Sequence, residues 1–329
     1  MPRPRVVITD FVADDLAPER EVLGGVADVV ALNATREAEV AGKLTDADAV
    51  MMFHVITMSA ATLDQLTRCK VIARGGVGYD NIDWKYARTR GIPVVNVPDY
   101  GTEEVADAAI AHVLALVRGV NLYNSQLRRG LAWDHASAAP LTRLRGKVFG
   151  VVGLGRIGTA TALRVKALGM DVVFYDPYKS DGYDKALGVR RAETLVELLK
   201  QSFVVSPHCP LTPETKHLID AKAIALMPRG SYLVNTSRGG VVDTTAIPAA
   251  IRSGQLAGAG IDVFEQEPPP DDHPLVKAWR DPNDPCHDRV LITPHAAFYS
   301  EEGLRDIRVK AATACKRALL GEPLRNVVN

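Results

Sequence analysis

Residues 148–176 read VFGVVGLGRIGTATALRVKALGMDVVFYD, and their pattern indicates the fold of the second half of the chain. A short apolar run meets the glycine-rich sequence GLGRIG, a helical pattern follows, and a second apolar run ends in an acid. This order of features predicts a strand, a tight turn, a helix and a second strand. Such a unit is typical of the first half of a dinucleotide-binding domain.

Each glycine of the turn is there because a side chain would interfere at that position. Gly153 permits the tight turn, Gly155 lets a pyrophosphate approach the backbone, and Gly158 lets the helix pack on the strand. Asp176 follows the turn by about 20 residues, where a carboxylate binds a ribose 2′-hydroxyl and repels a 2′-phosphate. The positive charge of Arg156, in the first turn of the helix, is unfavourable near the positive end of the helix dipole, and a bound phosphate would remove this conflict. The alternative is that Arg156 points into solvent. The unit therefore predicts NAD rather than NADP.

Composition restricts the class of protein. The 329 residues carry 39 Lys and Arg against 39 Asp and Glu, and this zero net charge does not favour nucleic acid or an anionic membrane as a partner. The start, MPRPRVVITD, does not resemble a signal peptide, and without a long apolar run we expect a cytoplasmic protein. The four cysteines are scattered, so we expect reduced thiols and no metal: Cys69, Cys209, Cys286 and Cys315.

Strand-like runs alternate with helical patterns throughout the chain. They are RVVITD, DVVAL, AVMMF, VIARG and PVVNV before residue 100, then FGVVG, DVVFYD, FVVSPH, SYLVNTS, AGIDVF and VLITPH. Short apolar strands in such alternation predict an α/β fold with parallel sheets covered on both faces. We expect two doubly wound Rossmann-like domains separated by a cleft: a flavodoxin-like substrate domain (1–99 and 299–329) and an NAD-binding Rossmann domain (100–298).

Three segments fall outside the plain alternation. A long helical pattern runs from Thr102, a plausible N-cap, to about Arg129. A second helix is expected from Ser300 to Leu320. The stretch from Pro268 to Arg289 is rich in Pro and Asp and contains Trp279, which indicates a surface loop.

Three polar residues follow predicted strands of the nucleotide-binding half. Arg238 follows YLVNTS, Glu267 follows AGIDVF, and His295 follows VLIT. Oxidation of an alcohol by hydride transfer needs a base, which histidine supplies near neutral pH, and a carboxylate beside it holds one tautomer. An arginine binds a substrate carboxylate bidentately. Taken singly, each residue also has an ordinary explanation. His295 is compatible with a hydrogen-bonded histidine of no special role, Glu267 with a solvated loop acid, and Arg238 with a salt bridge.

The motifs GLGRIG, NTSRGGVVD, IDVFEQEP and TPHAAFYSEEG, in that order, resemble those of the D-isomer-specific 2-hydroxyacid dehydrogenases. The resemblance extends over essentially the whole chain. The stretches FYDPYKSDG, YGTEEVADA and HAAFYSEE are most similar to the C-terminal-binding protein branch of that family.

This resemblance implies a catalytic trio in which His295 is the acid/base, Glu267 tunes it and Arg238 holds the 2-oxo acid. It implies NAD contacts at the glycine turn, at Asp176 and along later loops: Gly153, Gly155, Arg156, Ile157, Gly158, Asp176, His208, Cys209, Thr215, Thr236, Ser237, Arg238, Asp262 and His295. It implies a substrate site that includes backbone amides of a first-domain loop: His54, Arg74, Gly75, Gly76, Val77, Gly78, Arg238 and Phe298.

The chain also departs from the branch. Phe298 stands where the branch often has Trp, Val77 stands where a small polar residue is usual, and the loop after Glu267 is longer. The expected function is an NAD-dependent oxidoreductase that interconverts a small D-2-hydroxy acid and its 2-oxo acid. The alternatives are an NAD(H)-sensing dimeric scaffold with little turnover and a dehydrogenase of a phosphorylated hydroxy acid such as a phosphoglycerate.

A homodimer is expected in each case. The segment from Val120 to Arg145, which contains Trp133, matches the family's subunit-exchange arm. An ordinary surface excursion is the alternative explanation for this segment.

Overall fold

The computed structural model describes residues 3–131, 133–138 and 140–329. The chain divides into two compact units, one formed by the residues up to Gly101 together with Tyr299–Asn329, the other by Thr102–Phe298. Each unit contains one parallel sheet covered by helices, and the expected α/β class with two parallel-sheet domains is confirmed.

The sheet of the first unit has five strands in the order β2-β1-β3-β4-β5, all parallel. This is the flavodoxin-like order, which reverses between β1 and β3. The strands are β1 Arg5–Asp10, β2 Asp28–Ala34, β3 Ala49–Met52, β4 Ile72–Arg74 and β5 Val94–Asn96; the helices between them are α1 Ala17–Leu23, α2 Ala60–Leu63 and α3 Trp84–Thr89, with a 3-10 turn at Glu37–Val40.

The sheet of the second unit has seven parallel strands in the order β12-β11-β10-β9-β6-β7-β8. This is the Rossmann order with one further strand, and it reverses between β6 and β9. The strands are β6 Val148–Val152, β7 Asp171–Tyr175, β8 Arg190–Arg191, β9 Val204–Pro207, β10 Ser231–Asn235, β11 Leu256–Ile261 and β12 Val290–Ile292.

Helices flank this second sheet on both faces. They are α4 Thr102–Val117, α5 Val120–Arg128, α6 Arg156–Ala167, α7 Tyr183–Leu187, α8 Leu195–Gln201, α9 Ala221–Leu226, α10 Ile247–Arg252, α11 Pro274–Arg280 and α12 Cys286–Arg289, with 3-10 turns at His135–Ala138, Gly239–Val241 and Thr244–Ala246. The last helix, α13 (Glu301–Leu320), returns to the first unit. Its start is confirmed, because the Ser300 side chain accepts a hydrogen bond from the amide of Gly303.

The central strands of both sheets are buried on both faces, which explains why they are mostly apolar. In β1, Val6 and Ile8 pack in one core layer and Val7 packs in the other. In the second unit, Val152 and Val151 of β6 divide between two layers in the same way. Alternating side chains of a parallel strand thus each find an apolar layer.

The prediction of one long helix from Thr102 to Arg129 is wrong, because the structure has two helices there. Helix α4 ends at Val117, and α5 begins at Val120 after a bend of 63°. Gly119 takes a φ of +65°, a left-handed conformation that ends a helix. Thr102, the predicted N-cap, is the first residue of α4.

The surface loop predicted from Pro268 to Arg289 is also wrong, because the segment contains α11 and α12. Leu275 and Val276 of α11 are buried in the core of the second unit, and Trp279 packs against the same cluster. The apolar residues of PLVKAWR recur at helical spacing, and burial of that face stabilises the helix.

No single helix of the described ranges is both long enough and apolar enough to cross a membrane. Helices α4 and α5 have the length and composition of a membrane span only when they are counted as one segment across their bend.

Candidate active site

The glycine turn between β6 and α6 leaves no room for side chains at two of its three glycines. Gly153 has a φ of +91°, and a Cβ there would lie 2.9 Å from the amide nitrogen of Cys209. A Cβ on Gly158 would lie 2.1 Å from the carbonyl oxygen of Gly153. Around Gly155, by contrast, no atom comes within 4 Å of a Cβ position. The turn is therefore packed against the protein at Gly153 and Gly158 and open at Gly155, as a phosphate-binding turn requires.

Asp176 follows β7 and is bonded to the same turn. Its Oδ2 accepts the amide of Leu154 at 2.8 Å, and its Oδ1 accepts the amide of Tyr178 at 3.0 Å. A negative charge therefore stands beside the glycine turn. Arg156 is exposed in the first turn of α6, and the neighbouring Ile157 is half-buried.

Two buried polar atoms near the ends of β9 and β10 have no hydrogen-bond partner within the described part of the chain. They are Nδ1 of His208 and Oγ1 of Thr236. His208 uses its other ring nitrogen, 3.0 Å from the hydroxyl of Ser206, and burial lowers its pKa to about 4. Buried polar atoms are normally paired, and ligands of such sheets bind at the carboxyl ends of the strands. These two atoms therefore fit a polar ligand such as a dinucleotide.

The remaining residues predicted to contact NAD shape the surrounding loops. Thr215 donates from its hydroxyl to the carbonyl of Pro210 at 2.6 Å, which closes the loop after β9. Ser237 donates to the side-chain oxygen of Asn235 at 2.8 Å. Cys209 lies against Gly153, and burial raises its thiol pKa to about 11, so the group stays protonated at neutral pH.

His295 and Glu267 are 28 residues apart in sequence and form a hydrogen bond in the structure. Nδ1 of His295 lies 2.7 Å from Oε2 of Glu267, while Oε1 accepts the amide of Phe264 at 2.9 Å. Burial alone would raise the pKa of the Glu267 carboxyl. The hydrogen bond to His295, the Phe264 amide and the charge of Arg238 outweigh burial and lower that pKa below its ordinary value. The carboxylate is therefore ionised and holds the Nδ1 edge of the imidazole.

Arg238 lies directly after β10, in a segment packed on the loop of Glu267. It precedes Gly239, where a Cβ would lie 1.9 Å from the carbonyl carbon of Phe264. Asn235 donates to the carbonyl of Arg238 at 2.9 Å, and the guanidinium donates to the carbonyl of Ser237 at 2.9 Å. The backbone of this arginine is thus fixed beside the Glu267 loop.

Asp262, at the end of β11, organises the loop that carries His295. Its side chain is 1% exposed and accepts the hydroxyl of Thr293 at 2.5 Å and the amides of Ala296 and Ala297 at 2.9 and 3.1 Å. Its carbonyl oxygen accepts the amide of His295 at 2.8 Å. The ring of Phe298 stands edge-on to the His295 imidazole at 6.2 Å.

The substrate residues predicted in the first unit lie at the end of β4 and on the two neighbouring loops that follow β3 and β4. Arg74 is 6% exposed and donates to the carbonyl of Gly75 at 2.7 Å. The amide of Gly75 donates to Met52, so this amide is already used by the fold. Within the described residues, the amides of the next three positions donate to no acceptor: Gly76, Val77 and Gly78. Gly76 has a φ of +146°, and a Cβ there would collide with the Arg74 guanidinium.

Sequence reasoning missed the residue that shapes the His54 loop. Asp10, at the end of β1, is fully buried, and its carboxylate accepts the amides of Phe53 and Val55, each at 2.8 Å. The ring of His54 packs against Phe11 with centroids 4.8 Å apart. The signal was the acid that closes RVVITD, which stands at a strand end like the three residues singled out.

Other predicted features fall elsewhere. The four cysteines are free thiols, and across the described ranges no group of three or more His, Cys, Asp or Glu side chains is placed to hold a metal. The proposed arm from 120 to 145 includes Ala132 and Ala139, which lie outside the described residues. Four of its apolar side chains are exposed: Val120, Leu127, Leu131 and Trp133.

The comparisons with known proteins agree on one family. Residues 110–297 match the sequence model of the NAD binding domain of the D-isomer specific 2-hydroxyacid dehydrogenases. The chain is 36% identical over 325 residues to D-3-phosphoglycerate dehydrogenase of Methanocaldococcus jannaschii, which covers 99% of this chain and 59% of that protein. It is 35% identical over 327 residues to C-terminal-binding protein 1 of Caenorhabditis elegans, which covers 97% of this chain and 44% of that protein.

The chain thus spans about half the length of these curated relatives. Among solved structures, D-lactate dehydrogenase from Aquifex aeolicus, crystallised with NAD and lactic acid, superimposes with a TM-score of 0.84 at 32% identity and 96% coverage of both chains. The cofactor of the matched domain is NAD. The chain belongs to the D-isomer-specific 2-hydroxyacid dehydrogenase family.

Proposed function

We propose that this chain is an NAD-dependent oxidoreductase that interconverts a small D-2-hydroxy acid and its 2-oxo acid. The observation that supports this most directly is the 2.7 Å hydrogen bond between Glu267 and His295. This pair stands at the carboxyl ends of strands in the sheet that also carries the glycine turn. A protein that only bound the dinucleotide would have no need of an acid/base pair there.

His295 is the acid/base of the proposed reaction. Because Nδ1 faces Glu267, the second ring nitrogen is the one that exchanges a proton with the substrate oxygen. In oxidation it takes the hydroxyl proton, and in reduction it returns a proton to the carbonyl oxygen. When bound, NAD supplies the acceptor for the hydride. The ionised Glu267 stabilises the imidazolium that forms during oxidation.

Arg238 binds the substrate in this proposal. A guanidinium pairs with a carboxylate through two parallel hydrogen bonds and polarises an adjacent carbonyl. Its backbone is held beside the Glu267 loop by Asn235 and by the close contact at Gly239. Phe298, whose ring meets the His295 imidazole edge-on, would contribute to selection of the substrate side chain.

For the first unit we assign recognition of a carboxylate to the backbone amides of Gly76, Val77 and Gly78. Successive backbone amides form anion-binding concavities without any charged side chain. The glycine conformation at Gly76 and the buried Arg74 guanidinium hold this loop in place. His54 and Arg74 complete the residues assigned to substrate recognition.

The cofactor residues proposed are those of the glycine turn, Asp176 and the loops after β9, β10 and β11. Asp176 makes a specific prediction, because its charge would repel a 2′-phosphate. The variant Asp176→Ser should narrow the preference for NADH over NADPH, whereas Asp176→Glu should keep it. Steady-state kinetics with both cofactors measure the ratio; an unchanged preference in Asp176→Ser would remove this role.

Homodimer formation is proposed through the segment 120–145. Exposed apolar side chains at Val120, Leu127 and Trp133 are the supporting observation, because Trp is enriched at protein–protein interfaces relative to the rest of the surface. Light scattering coupled to gel filtration should give twice the chain mass of 35.5 kDa for the wild type. Trp133→Ala should weaken the dimer.

The test of the activity is the consumption of NADH with a panel of 2-oxo acids: glyoxylate, pyruvate, phenylpyruvate, 4-methylthio-2-oxobutyrate and 3-phosphohydroxypyruvate. The expected result is turnover that His295→Ala reduces by about 10²–10⁴-fold. Turnover confined to the phosphorylated acid would favour the phosphorylated-substrate alternative. Tight NADH binding without turnover on any acid would favour the sensing scaffold and overturn the proposal.

A further inference from the structure

His112 is a buried histidine of α4 that the proposed reaction does not use. It is 6% exposed and packs directly on β11. A Cβ placed on Gly260 of that strand would lie 2.8 Å from both Cβ and Nδ1 of His112. The strand therefore carries glycine at the one position where the imidazole needs the room.

The imidazole is connected to the His295 loop through one hydroxyl. Nε2 of His112 lies 3.2 Å from Oγ1 of Thr293, and that hydroxyl lies 2.5 Å from Oδ1 of Asp262. The carboxylate then accepts the amides of Ala296 and Ala297, next to His295. A chain of three side chains thus leads from the interior of α4 to the backbone beside His295.

The protons of this chain can be placed by elimination. The carboxylate of Asp262 is an acceptor, so the hydroxyl proton of Thr293 points towards it. The hydroxyl oxygen must then accept from Nε2–H of His112. Nε2 therefore carries a proton, whereas Nδ1 is buried without a hydrogen-bond partner in the described part of the chain. This arrangement fits a neutral imidazole with its proton on Nε2. Burial lowers the pKa of His112 despite the nearby charge of Asp262, which agrees with a neutral ring.

The backbone held by these hydrogen bonds has a strained conformation at His295. His295 has a φ of +52°, in the left-handed region that is unfavourable for a residue other than glycine. Such a conformation persists only where its surroundings over-determine it. Around His295 those surroundings are the carbonyl of Asp262, which accepts the His295 amide, and the Asp262 carboxylate, which holds the next two amides.

We infer that His112 and Thr293 are positioning residues for His295: the buried His112 and the half-buried Thr293 form a donor relay that orients the Asp262 carboxylate and thereby the backbone of residues 295–297. The inference rests on the proposed role of His295 as the acid/base. The relay matters because a buried carboxylate needs donors around its oxygens, and removal of one donor lets it turn or admit water. A shift of His295 by a fraction of an ångström would then reduce the rate without removing either substrate or cofactor.

The experiment uses two pairs of substitutions along the relay. His112→Leu removes the donor, whereas His112→Gln retains a side-chain N–H near the position of Nε2. Thr293→Val removes the hydroxyl, whereas Thr293→Ser keeps it. Thr161→Val is the matched control, because Thr161 is fully buried in α6 and its hydroxyl has no partner in the described part of the chain.

Three quantities are measured for each variant: kcat and KM for the best 2-oxo acid, the dissociation constant of NADH by fluorescence, and the pH titration of the His295 ring signal by NMR. The NMR signal is assigned with His295→Ala and requires no turnover. We expect His112→Leu and Thr293→Val to lower kcat by about 10–100-fold and to move the His295 signal, with NADH affinity within about threefold of the wild type. His112→Gln, Thr293→Ser and Thr161→Val should stay close to the wild type.

The outcomes separate the inference from the proposed function. A wild type without turnover on any acid would overturn the proposed function, and the NMR titration would still report whether the relay positions His295. An active wild type with unchanged kcat and an unchanged His295 signal in both His112→Leu and Thr293→Val would overturn the inference. Equal losses in His112→Gln and His112→Leu, or a loss in Thr161→Val, would show a general packing defect and would also overturn it.

Discussion

Nδ1 of His295 lies 2.7 Å from Oε2 of Glu267, and the other oxygen of that carboxylate accepts the amide of Phe264. The carboxylate is held on both sides, so it cannot rotate away from the imidazole without losing a second hydrogen bond. The pair is only partly exposed, with 26% of the His295 side chain and 35% of the Glu267 side chain accessible. Solvent therefore screens the interaction less than it would on an open surface.

Replacement of Glu267 tests the importance of its charge. In Glu267→Gln the amide can still contact the imidazole but no longer attracts a proton to it. We expect the rate of 2-oxo-acid reduction to fall about 10–10²-fold at pH 7.5. The control is Glu265→Gln, an exposed acid two residues away that pairs with Lys216 and His217. Identical pH–rate profiles in both variants and the wild type would contradict the assignment.

The three glycines of the turn should differ in a predictable way. A Cβ on Gly158 would collide with a carbonyl oxygen at 2.1 Å, so Gly158→Ala should lower the unfolding midpoint and the yield of folded protein. Gly155→Ala meets no atom within 4 Å and should unfold like the wild type, yet it should bind NADH more weakly. Thermal unfolding and fluorescence titration measure the two effects. Wild-type NADH affinity in Gly155→Ala would count against phosphate binding at this turn.

The buried arginine of α13 should contribute far more to stability than its exposed neighbour. Arg308 is 6% exposed and pairs with the fully buried Glu19 at 2.7 Å and with Asp14 at 2.6 Å. Arg308→Met would leave a buried carboxylate unpaired and should cost about 3–5 kcal/mol in the free energy of unfolding. Arg305→Met breaks only the exposed pair with Glu21 and should cost at most about 1 kcal/mol. Urea unfolding compares the two; equal costs would show that the burial of Glu19 has no energetic importance.

Acid should destabilise the protein partly through His208. Its folded pKa is about 4 against an ordinary value of 6.5, so the unfolded chain binds the additional proton between these values. The stabilising effect of its neutral form is therefore complete above pH 6.5 and is lost as pH falls towards 4. We expect His208→Asn to reduce the drop in unfolding midpoint between pH 7.5 and pH 5. Because His112 acts in the same direction, some of the drop should remain.

Much of the fold was predictable because its signals are local. An apolar run such as VFGVV is committed to a buried strand by its own side chains, and the positive φ of Gly153 follows from a turn of fixed geometry. Boundaries were less predictable: the break at Gly119 and the helix α11 depend on which core the neighbouring residues reach. Propensity alone cannot supply that information.

The two parallel sheets, the dinucleotide turn and the positions of Arg238, Glu267 and His295 after successive strands all follow from local sequence patterns. Which of these side chains meet depends on how the sheet packs. The tertiary structure placed Glu267 on the imidazole of His295, and it joined His112 to Thr293 across 181 residues. The physical reason is that a strand or turn is encoded by neighbours in the chain, whereas a buried polar group is stabilised by whichever partner the packed sheet brings within hydrogen-bonding distance.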